Sequence, residues 1–148
     1  MGLLSRNVDS GIEMSRPKQQ WWTCIKTLRK RLRGFNQQGA RYHRKPIKLE
    51  QLQRYVQPTP VTTPCGISIC EWCCRPLTKA NISFDHRISL AAGGQHSLTN
   101  LAFSCKVCNK RKLASDPVWW KKFIDFLKVN DKLAWFNQSY KVNWRRRR

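Results

Sequence analysis

Four of the seven cysteines fall in two Cys-x-x-Cys pairs, in which Cys70 precedes Cys73 and Cys105 precedes Cys108. Thiolates two residues apart lie on one tight turn and can share a metal ion. Two such turns brought together supply the four sulfurs of a closed tetrahedral site, which is the structural site that Zn²⁺ prefers. The pattern therefore predicts a four-cysteine zinc site that replaces part of a hydrophobic core.

The choice of ligands has one ambiguity, because Cys74 directly follows Cys73. Adjacent side chains in such a turn diverge, so only one of the two should bind the shared metal. We expect Cys73 to bind, since it repeats the two-residue gap of the second pair. Whether Cys74 or Cys65 replaces a zinc ligand stays open at this stage.

The segment between the cysteine pairs contains a second set of chemically capable residues, centred on Asp85 and His86. A carboxylate is a hard oxygen ligand, and an imidazole can take up a proton near neutral pH. Hydrolysis of a phosphodiester needs a base for the attacking water and positive charge near the oxygens that become more negative. His86 can supply the base, and a cation on Asp85 can supply the charge. The alternative is that His86 is a hydrogen-bonded core residue of a purely structural zinc module.

The order of these motifs along the chain resembles the HNH endonuclease family. The resemblance rests on one ordered set of residues: Cys70-x-x-Cys73, Asp85-His86, Gly93-Gly94, Asn100-Leu101 and Cys105-x-x-Cys108-Asn109-Lys110-x-Lys112. A single Cys-x-x-Cys or a single Asp-His pair would carry little weight, but the ordered combination is specific. It covers under a third of the chain.

The resemblance implies a role for each matching position. His86 matches the general base that activates water against a DNA phosphorus, and Asp85 matches the carboxylate that holds a catalytic divalent ion. Asn100 matches the residue that ties down the loop of the hairpin and so orients His86. Asn109 stands where the family often has a second histidine. An amide oxygen is a hard ligand, so this departure favours Mg²⁺ or Mn²⁺ as the catalytic ion.

The elements that must position these residues are predicted to be a short hairpin followed by a helix. Ile82-Ser83-Phe84 is predicted as a strand leading into Asp85 and His86, the chain turns at Gly93-Gly94, and Leu101-Ala102-Phe103 returns as the second strand. Residues 106–113 continue as a helix that places Asn109 towards His86. We expect His96, in the loop, to face solvent. A unit of this size buries little apolar area, which is why the zinc is needed.

Basic segments flank this unit on its N-terminal side. Residues 1–20 lack periodicity and are predicted to form a flexible lead. Residues 21–33 are predicted to form a helix that Gly34 should stop, with an apolar side made of Trp21, Ile25, Leu28 and Leu32. Residues 37–45 are typical of a linker. Pro46 is placed to open a second helix that ends before Pro58, and residues 59–64 should be extended because of their prolines.

The C-terminal flank begins with a strong helix signal, since Asp116 can cap the helix and Pro117 can occupy its first position. Apolar residues then recur at helical spacing, namely Trp119, Trp120, Phe123, Ile124 and Leu127. We expect these aromatic side chains to pack on the zinc module rather than to stack on bases. Leu133, Trp135 and Phe136 predict one more packed turn, and the chain closes with four arginines.

The composition points to a polyanionic partner before any motif is considered. The 148 residues contain 29 Lys and Arg against 8 Asp and Glu, which gives a formal net charge of +21. Nucleic acid is favoured over a membrane surface, because no long helix with a clean apolar face dominates. The residues expected to contact DNA are all basic: Lys26, Arg29, Lys30, Arg33, Lys110, Arg111, Arg145, Arg146, Arg147 and Arg148.

Two other classes are excluded by composition. The first residues lack the apolar core of a signal peptide, and four cysteines have metal-type spacing, so a secreted disulfide scaffold is rejected. No apolar run approaches the length of a membrane span. We therefore expect a reduced, cytoplasmic protein.

The sequence as a whole predicts a small α+β protein in which a ββα-metal hairpin-plus-helix module is held by a four-cysteine zinc site and flanked by basic helices. The expected organisation is a lead (1–20), a basic helical DNA-binding extension (21–60), the nuclease core (61–116) and a C-terminal helix with an Arg-rich tail (117–148). The predicted function is divalent-metal-dependent cleavage of DNA, in double-stranded form, by a monomer or weak dimer. Small proteins that look like this occur in phages and mobile elements, where they serve homing or, with a terminase, genome packaging. The alternative is a zinc protein that binds nucleic acid without cutting it.

Overall fold

The computed structural model describes residues 20–57 and 65–136, except for the side chains of residues 65 and 66. The predicted lead, the predicted extended segment at 59–64 and the terminal arginines therefore lie outside the described residues, except for Gln20. The described part is a small α+β structure, as predicted. Its centre is a two-stranded antiparallel sheet.

The hairpin consists of β1 (Ile82–His86) and β2 (Leu101–Cys105). The register pairs Asp85 with Ala102 and His86 with Leu101. Both predicted strands are present, each longer than expected. All five residues of β2 are buried, because helices cover the sheet on both faces. Helix α4 (Lys106–Lys112) follows β2 directly, so the predicted hairpin-plus-helix order is confirmed.

The loop between the strands contains two short 3₁₀ turns, Leu90–Ala92 and Leu98–Asn100. It reverses at Gly93, which has a φ of 88°, a value that L-residues with a side chain rarely adopt. At Gly94, an added Cβ would lie 1.9 Å from the carbonyl oxygen of Ile88. The predicted turn at these two glycines is confirmed, and only glycine fits at the second.

Helix α1 (Ile25–Arg41) is the largest difference from prediction, because it continues through Gly34 and through part of the predicted linker. Its buried stripe is Leu28, Leu32, Phe35 and Gly39, which runs past the glycine at helical spacing. An interior glycine costs a helix about 1 kcal/mol, whereas burying one Phe contributes about 1.5–3 kcal/mol. Packing on β1 therefore outweighs the local preference to stop.

The N-terminal end of this region also differs from prediction. Trp21 belongs to a separate 3₁₀ turn (Trp21–Thr23) and is buried, and its indole Nε1 donates to the Ile67 carbonyl at 2.7 Å. Ile25, which was expected on the apolar side, is 46% exposed. The contact between Trp21 and Ile67 joins the start of the N-terminal region to the segment before the first cysteine pair.

Helix α2 (Leu49–Tyr55) starts at Leu49, later than Pro46, and ends before Pro58 as predicted. Gln51 accepts a hydrogen bond from the backbone N–H of Lys48 through its side-chain oxygen at 2.9 Å, which sets this start. Leu52 and Val56 are buried, Leu49 is partly buried and Tyr55 is exposed. A short helix, α3 (Cys65–Ser68), follows the undescribed segment.

Helix α5 (Pro117–Val129) begins as predicted, because Asp116 Oδ1 accepts from the Trp119 backbone N–H at 2.9 Å and Pro117 occupies the first turn. Its buried residues are Trp120, Ile124 and Leu127. Trp119, expected in the core, is 56% exposed and stacks on Phe123. Residues 133–136 are again helical and Phe136 is buried. None of the helices in residues 20–57 and 65–136 has the length and apolar character needed to cross a membrane.

Candidate metal centre and active-site cleft

The four predicted cysteine ligands come together. The sulfurs of Cys70, Cys73, Cys105 and Cys108 all lie within 4.8 Å of one another, and all four residues are buried. Cys73 Sγ lies 3.9 Å from Cys105 Sγ. Sulfurs at the corners of a tetrahedral zinc site, with bonds of about 2.3 Å, would be about 3.8 Å apart. The cluster therefore has the size that a zinc ion requires.

Backbone geometry prepares this cluster for negative charge. The backbone N–H of Cys105 donates to Cys70 Sγ at 3.3 Å, and that of Cys108 donates to Cys105 Sγ at 3.4 Å. A hydrogen bond between the two side chains, from the Cys108 thiol to the Cys105 sulfur, holds the pKa of Cys105 well below its usual range and raises the pKa of Cys108. Four thiolates at this spacing need a cation, because their charges would otherwise repel one another.

Cys74 is turned away from the cluster. Its side chain is exposed and its φ is 61°, so the chain reverses at this residue and only its neighbour Cys73 points inward. This geometry agrees with the expected choice between the two.

A salt bridge joins the first cysteine turn to the loop after β1. The Arg87 guanidinium binds both carboxylate oxygens of Glu71, with Nη2 to Oε2 at 2.9 Å, and Arg87 Nη1 donates to the Thr99 carbonyl at 2.7 Å. The Glu71 carboxylate raises the pKa of Arg87 further. The cysteine cluster and the loop that follows His86 are thereby held in one arrangement.

Asp85 is buried near the end of β1, and its Oδ2 atom makes no hydrogen bond within the described part of the chain. Lys112 Nζ lies 3.4 Å from that atom. Burial raises the pKa of Asp85 to about 6, against the opposing effect of Lys112. This oxygen is therefore ion-paired with Lys112 but accepts no hydrogen bond among the described residues, so it has lone pairs that a metal ion bound in the cleft could use.

His86 is 4% exposed and stacks on Phe35 of α1, with ring centroids 4.0 Å apart. Burial lowers the pKa of His86 to about 4, and the neighbouring His96 and Lys112 act in the same direction. The ring is therefore neutral at physiological pH, which is the state that can accept a proton.

His96 does not face solvent, contrary to prediction. It is partly buried, its Nδ1 lies 2.9 Å from His86 Nε2, and its Nε2 lies 2.9 Å from Asn36 Oδ1. Asn36 belongs to α1 and is separated from His96 by 60 residues. No local pattern could have indicated this contact, because loop position and polarity are equally typical of a solvated histidine.

Asn100 connects the two ends of the loop. Its Oδ1 accepts from the Ile88 backbone N–H at 3.0 Å, and its Nδ2 donates to the carbonyls of Ile88 and Gln95 at 2.9 and 2.8 Å. The Arg87 backbone N–H donates to the Asn100 carbonyl at 2.8 Å. Every polar atom of the amide side chain is engaged, so Asn100 fixes the backbone that leaves His86.

Asn109 lies on α4 against β1. Its Nδ2 donates to Ser83 Oγ at 2.6 Å and to the Phe84 carbonyl at 3.1 Å. Because both nitrogen contacts point to the strand, the amide oxygen is the atom left for the cleft. Asp85, His86 and Asn109 line one cleft of about 450 Å³, which Arg41, Tyr42 and Lys110 also border.

Residues 70–115 match the family model described as HNH endonuclease. This segment is an HNH domain. It covers about a third of the chain and contains the cysteine cluster, the hairpin and α4, whereas α1 lies outside it. A comparison with curated proteins gave no match. HNH domains are usually nucleases that act on DNA and use divalent metals, so the match supports nuclease function at the level of the family.

Lys112 is a residue of the HNH domain to which sequence reasoning gave no role. It is fully buried, although lysine is rarely so, and its Nζ donates to the His86 carbonyl at 2.9 Å. The ammonium also lies 5.6 Å from the centre of the Trp72 ring. Its burial beneath the cleft places one fixed positive charge next to Asp85.

Several predicted DNA-contacting residues lie on the surface around the HNH domain. Lys26, Arg29, Lys30, Arg33 and Lys110 are exposed, and Arg111 packs over the Phe136 ring at 4.2 Å. Partial burial, together with the nearby charges of Arg31, Lys30 and Lys110, lowers the pKa of Lys106. Residues of α1 and α4 thus share one electropositive surface. Arg145 to Arg148 lie outside the described residues.

Proposed function

We propose that this chain is a metal-dependent HNH endonuclease that hydrolyses DNA phosphodiester bonds to leave a 5′-phosphate and a 3′-hydroxyl. The observation that carries the proposal is the pairing, in one cleft, of a neutral imidazole with a buried carboxylate oxygen that has no hydrogen-bond donor in the described part of the chain. A module that only bound nucleic acid would need neither group.

In this proposal His86 takes the proton of the attacking water, and its neutral ring accepts that proton without prior deprotonation. Asp85 and the amide oxygen of Asn109 would hold Mg²⁺ or Mn²⁺, since the site offers hard oxygen ligands and a carboxylate oxygen that accepts no hydrogen bond among the described residues. The bound ion would supply positive charge for the phosphate oxygens in the transition state. Asn100 keeps His86 in place by fixing the loop.

The four cysteines would hold Zn²⁺ as a structural ion, because thiolates select zinc and the site is closed. Residues 21–60 and 117–148 would flank the nuclease core of residues 61–116 and bind double-stranded DNA through their basic side chains. Analogy with small proteins of this type favours a monomer or weak dimer in a phage or mobile element, with homing or terminase-linked packaging as its role.

The proposal is tested by plasmid cleavage under single-turnover conditions, with and without Mg²⁺ or Mn²⁺. The wild-type chain should cut only with the divalent ion, and His86→Ala should lower the rate by about 10²–10⁴-fold. Zinc content and DNA affinity should stay near wild type, because the imidazole acts on water and contributes little to ground-state binding.

The controls separate loss of chemistry from loss of structure. His86 is packed against Phe35, so removing its side chain in His86→Ala leaves a cavity. His86→Gln is a second variant whose side chain occupies more of that space than alanine does but cannot act as a base. His43→Asn removes an exposed imidazole elsewhere and should cut as fast as wild type. Cleavage by His86→Gln at the wild-type rate contradicts the assignment. Loss of zinc from both His86 variants would favour a non-catalytic zinc protein.

A further inference from the structure

The orientation of the Asn36 side chain is fixed by backbone atoms. Asn36 Oδ1 accepts from the Ile47 backbone N–H at 2.9 Å, and Asn36 Nδ2 donates to the Ile47 carbonyl at 2.9 Å. If the amide were reversed, its NH₂ group would face the Ile47 N–H and its oxygen would face the Ile47 carbonyl, and neither pair can form a hydrogen bond. The atom that Asn36 presents to His96 is therefore an oxygen.

This oxygen determines where the proton of His96 lies. An oxygen can only accept, so His96 Nε2 carries a proton and donates it to Asn36 Oδ1. Burial lowers the pKa of His96, with a further contribution from the charge of Arg44, so the ring is neutral and its Nδ1 is a bare acceptor. The contact with His86 Nε2 at 2.9 Å then requires the proton to lie on His86.

We propose that Asn36 and His96 are positioning residues, which act in sequence to hold His86 as its Nε2–H tautomer and leave the Nδ1 lone pair for a water in the cleft. The proposal rests on the nuclease function proposed above and names residues that set the geometry of its base. Within residues 20–57 and 65–136, His86 Nδ1 makes no hydrogen bond of its own. A histidine held by a fixed acceptor keeps both its tautomer and its ring plane.

Helix α1 supplies the space as well as the hydrogen bond. A Cβ at Gly39 would lie 2.8 Å from three atoms of the His96 ring, so only glycine lets the ring lie against the helix. Phe35, one turn away, stacks on His86 and lies 4.7 Å from the His96 ring. Three residues of one helix face, Phe35, Asn36 and Gly39, therefore hold two histidines of the HNH domain.

The tautomer is tested by NMR on the ¹⁵N-labelled, zinc-loaded full chain, which has only three histidines to assign. An N–H···N hydrogen bond transmits a scalar coupling between its two nitrogens, and the one-bond coupling identifies the donor. We expect the proton on His86 Nε2, coupled across the bond to His96 Nδ1. A proton on His96 Nδ1, or no coupling between the rings, overturns the proposal. This readout does not depend on DNA cleavage.

Single-turnover cleavage tests the consequence for catalysis. His96→Phe removes the acceptor and should slow the reaction by about 10–100-fold, the usual effect of losing a group that orients a reacting one. KM and zinc content should stay at wild-type values, and His96→Gln, whose amide oxygen can accept, should recover part of the rate. A His96→Phe variant that cuts as fast as wild type overturns the proposal.

A matched pair of glycine variants keeps the test independent of His96 itself. Gly39→Ala should displace the His96 ring and slow cleavage, whereas Gly34→Ala, in the same helix with nothing within 4 Å of the added Cβ, should cut like wild type. Equal rates for the two variants contradict the proposal. A wild-type chain that shows the hydrogen bond between the rings but cuts no DNA contradicts the nuclease function and leaves the tautomer assignment standing.

Discussion

The cysteine cluster and the cleft at the end of β1 are both buried and polar, but they are built in opposite ways. The cluster takes its four ligands from two short turns, and all four sulfurs face one another. The cleft draws on α1, β1, the loop and α4, and it leaves one carboxylate oxygen without a donor among the described residues. The cluster has the geometry of a closed site that could hold a single structural ion. In the function proposed above, the cleft needs an open coordination position for its divalent ion.

The largest effect is expected from breaking the closed site. Cys73→Ser should abolish tight zinc binding and unfold the HNH domain, because a structural zinc site contributes about 10–16 kcal/mol of apparent binding free energy. Cys74→Ser, at the adjacent exposed position, is the matched control and should retain both zinc and fold. Zinc analysis together with circular dichroism checks this pair. Stoichiometric zinc in folded Cys73→Ser would show that the site uses another ligand.

A smaller but clear effect is expected from removing the buried cation beneath the cleft. Lys112→Met should lower the free energy of unfolding by about 3–5 kcal/mol, because it leaves Asp85 without its nearest positive charge. Adding Asp85→Asn to this variant should restore part of the loss. Lys110→Met, exposed on the same helix, should change stability by less than about 0.5 kcal/mol.

Denaturant unfolding of the zinc-loaded variants measures these free energies. If the double variant is no more stable than Lys112→Met alone, the ammonium and the carboxylate are not energetically coupled.

The pH dependence of stability distinguishes the cleft from the cluster. The folded-state pKa of His86 is lowered from 6.5 to about 4, so its contribution to stability is fully present above pH 6.5 and is lost as pH falls towards 4. As pH falls from 6.5 to 4, the wild type should therefore lose about 3 kcal/mol more unfolding free energy than His86→Gln does.

The titration of Asp85 changes the unfolding free energy in the opposite direction, over nearly the same pH range. Its folded-state pKa is raised from 3.8 to about 6, so its contribution is present below pH 3.8 and is lost as pH rises through 6. The wild type and His86→Gln share the titration of Asp85 and the pH dependence of zinc binding. The difference between their unfolding free energies therefore reports on His86 alone. A difference that stays constant between pH 4 and 6.5 would mean that His86 titrates normally in the folded protein.

The smallest effect on either site is expected from the C-terminal arginines. Deleting residues 145–148 should weaken DNA binding and reduce the slope of log K against log salt by about 3–4, at about 0.9 per phosphate contact. Unfolding free energy and the single-turnover rate at saturating DNA should not change, since every residue assigned to either site lies among the described residues. Binding measured at several salt concentrations checks this, and an unchanged slope would exclude phosphate contacts by these residues.

Local sequence determined the parts of this protein that depend on short spacings. The Cys-x-x-Cys pairs, the strand leading into Asp85 and His86, the turn at Gly93 and the cap at Asp116 are each set by neighbours in the chain. Their geometry follows from backbone conformation and ligand spacing, and these predictions agree with the structure. The prediction that the first helix ends at Gly34 was wrong, because burial of a whole helix face outweighs a local preference of about 1 kcal/mol.

Tertiary structure alone decided which groups surround His86. Asn36 and His96 form a hydrogen bond although 60 residues separate them in the sequence. Glycine is needed at position 39 because a Cβ there would clash with the His96 ring, and the backbone conformation of Gly39 does not itself require glycine. Lys112 becomes a buried counter-charge only when α4 packs beneath the end of β1. No spacing rule encodes these contacts, since they arise from the packing of α1 and α4 on the hairpin. The sequence thus predicts Asp85 and His86 as a pair, whereas the packing of α1 and α4 determines which groups and charges surround them.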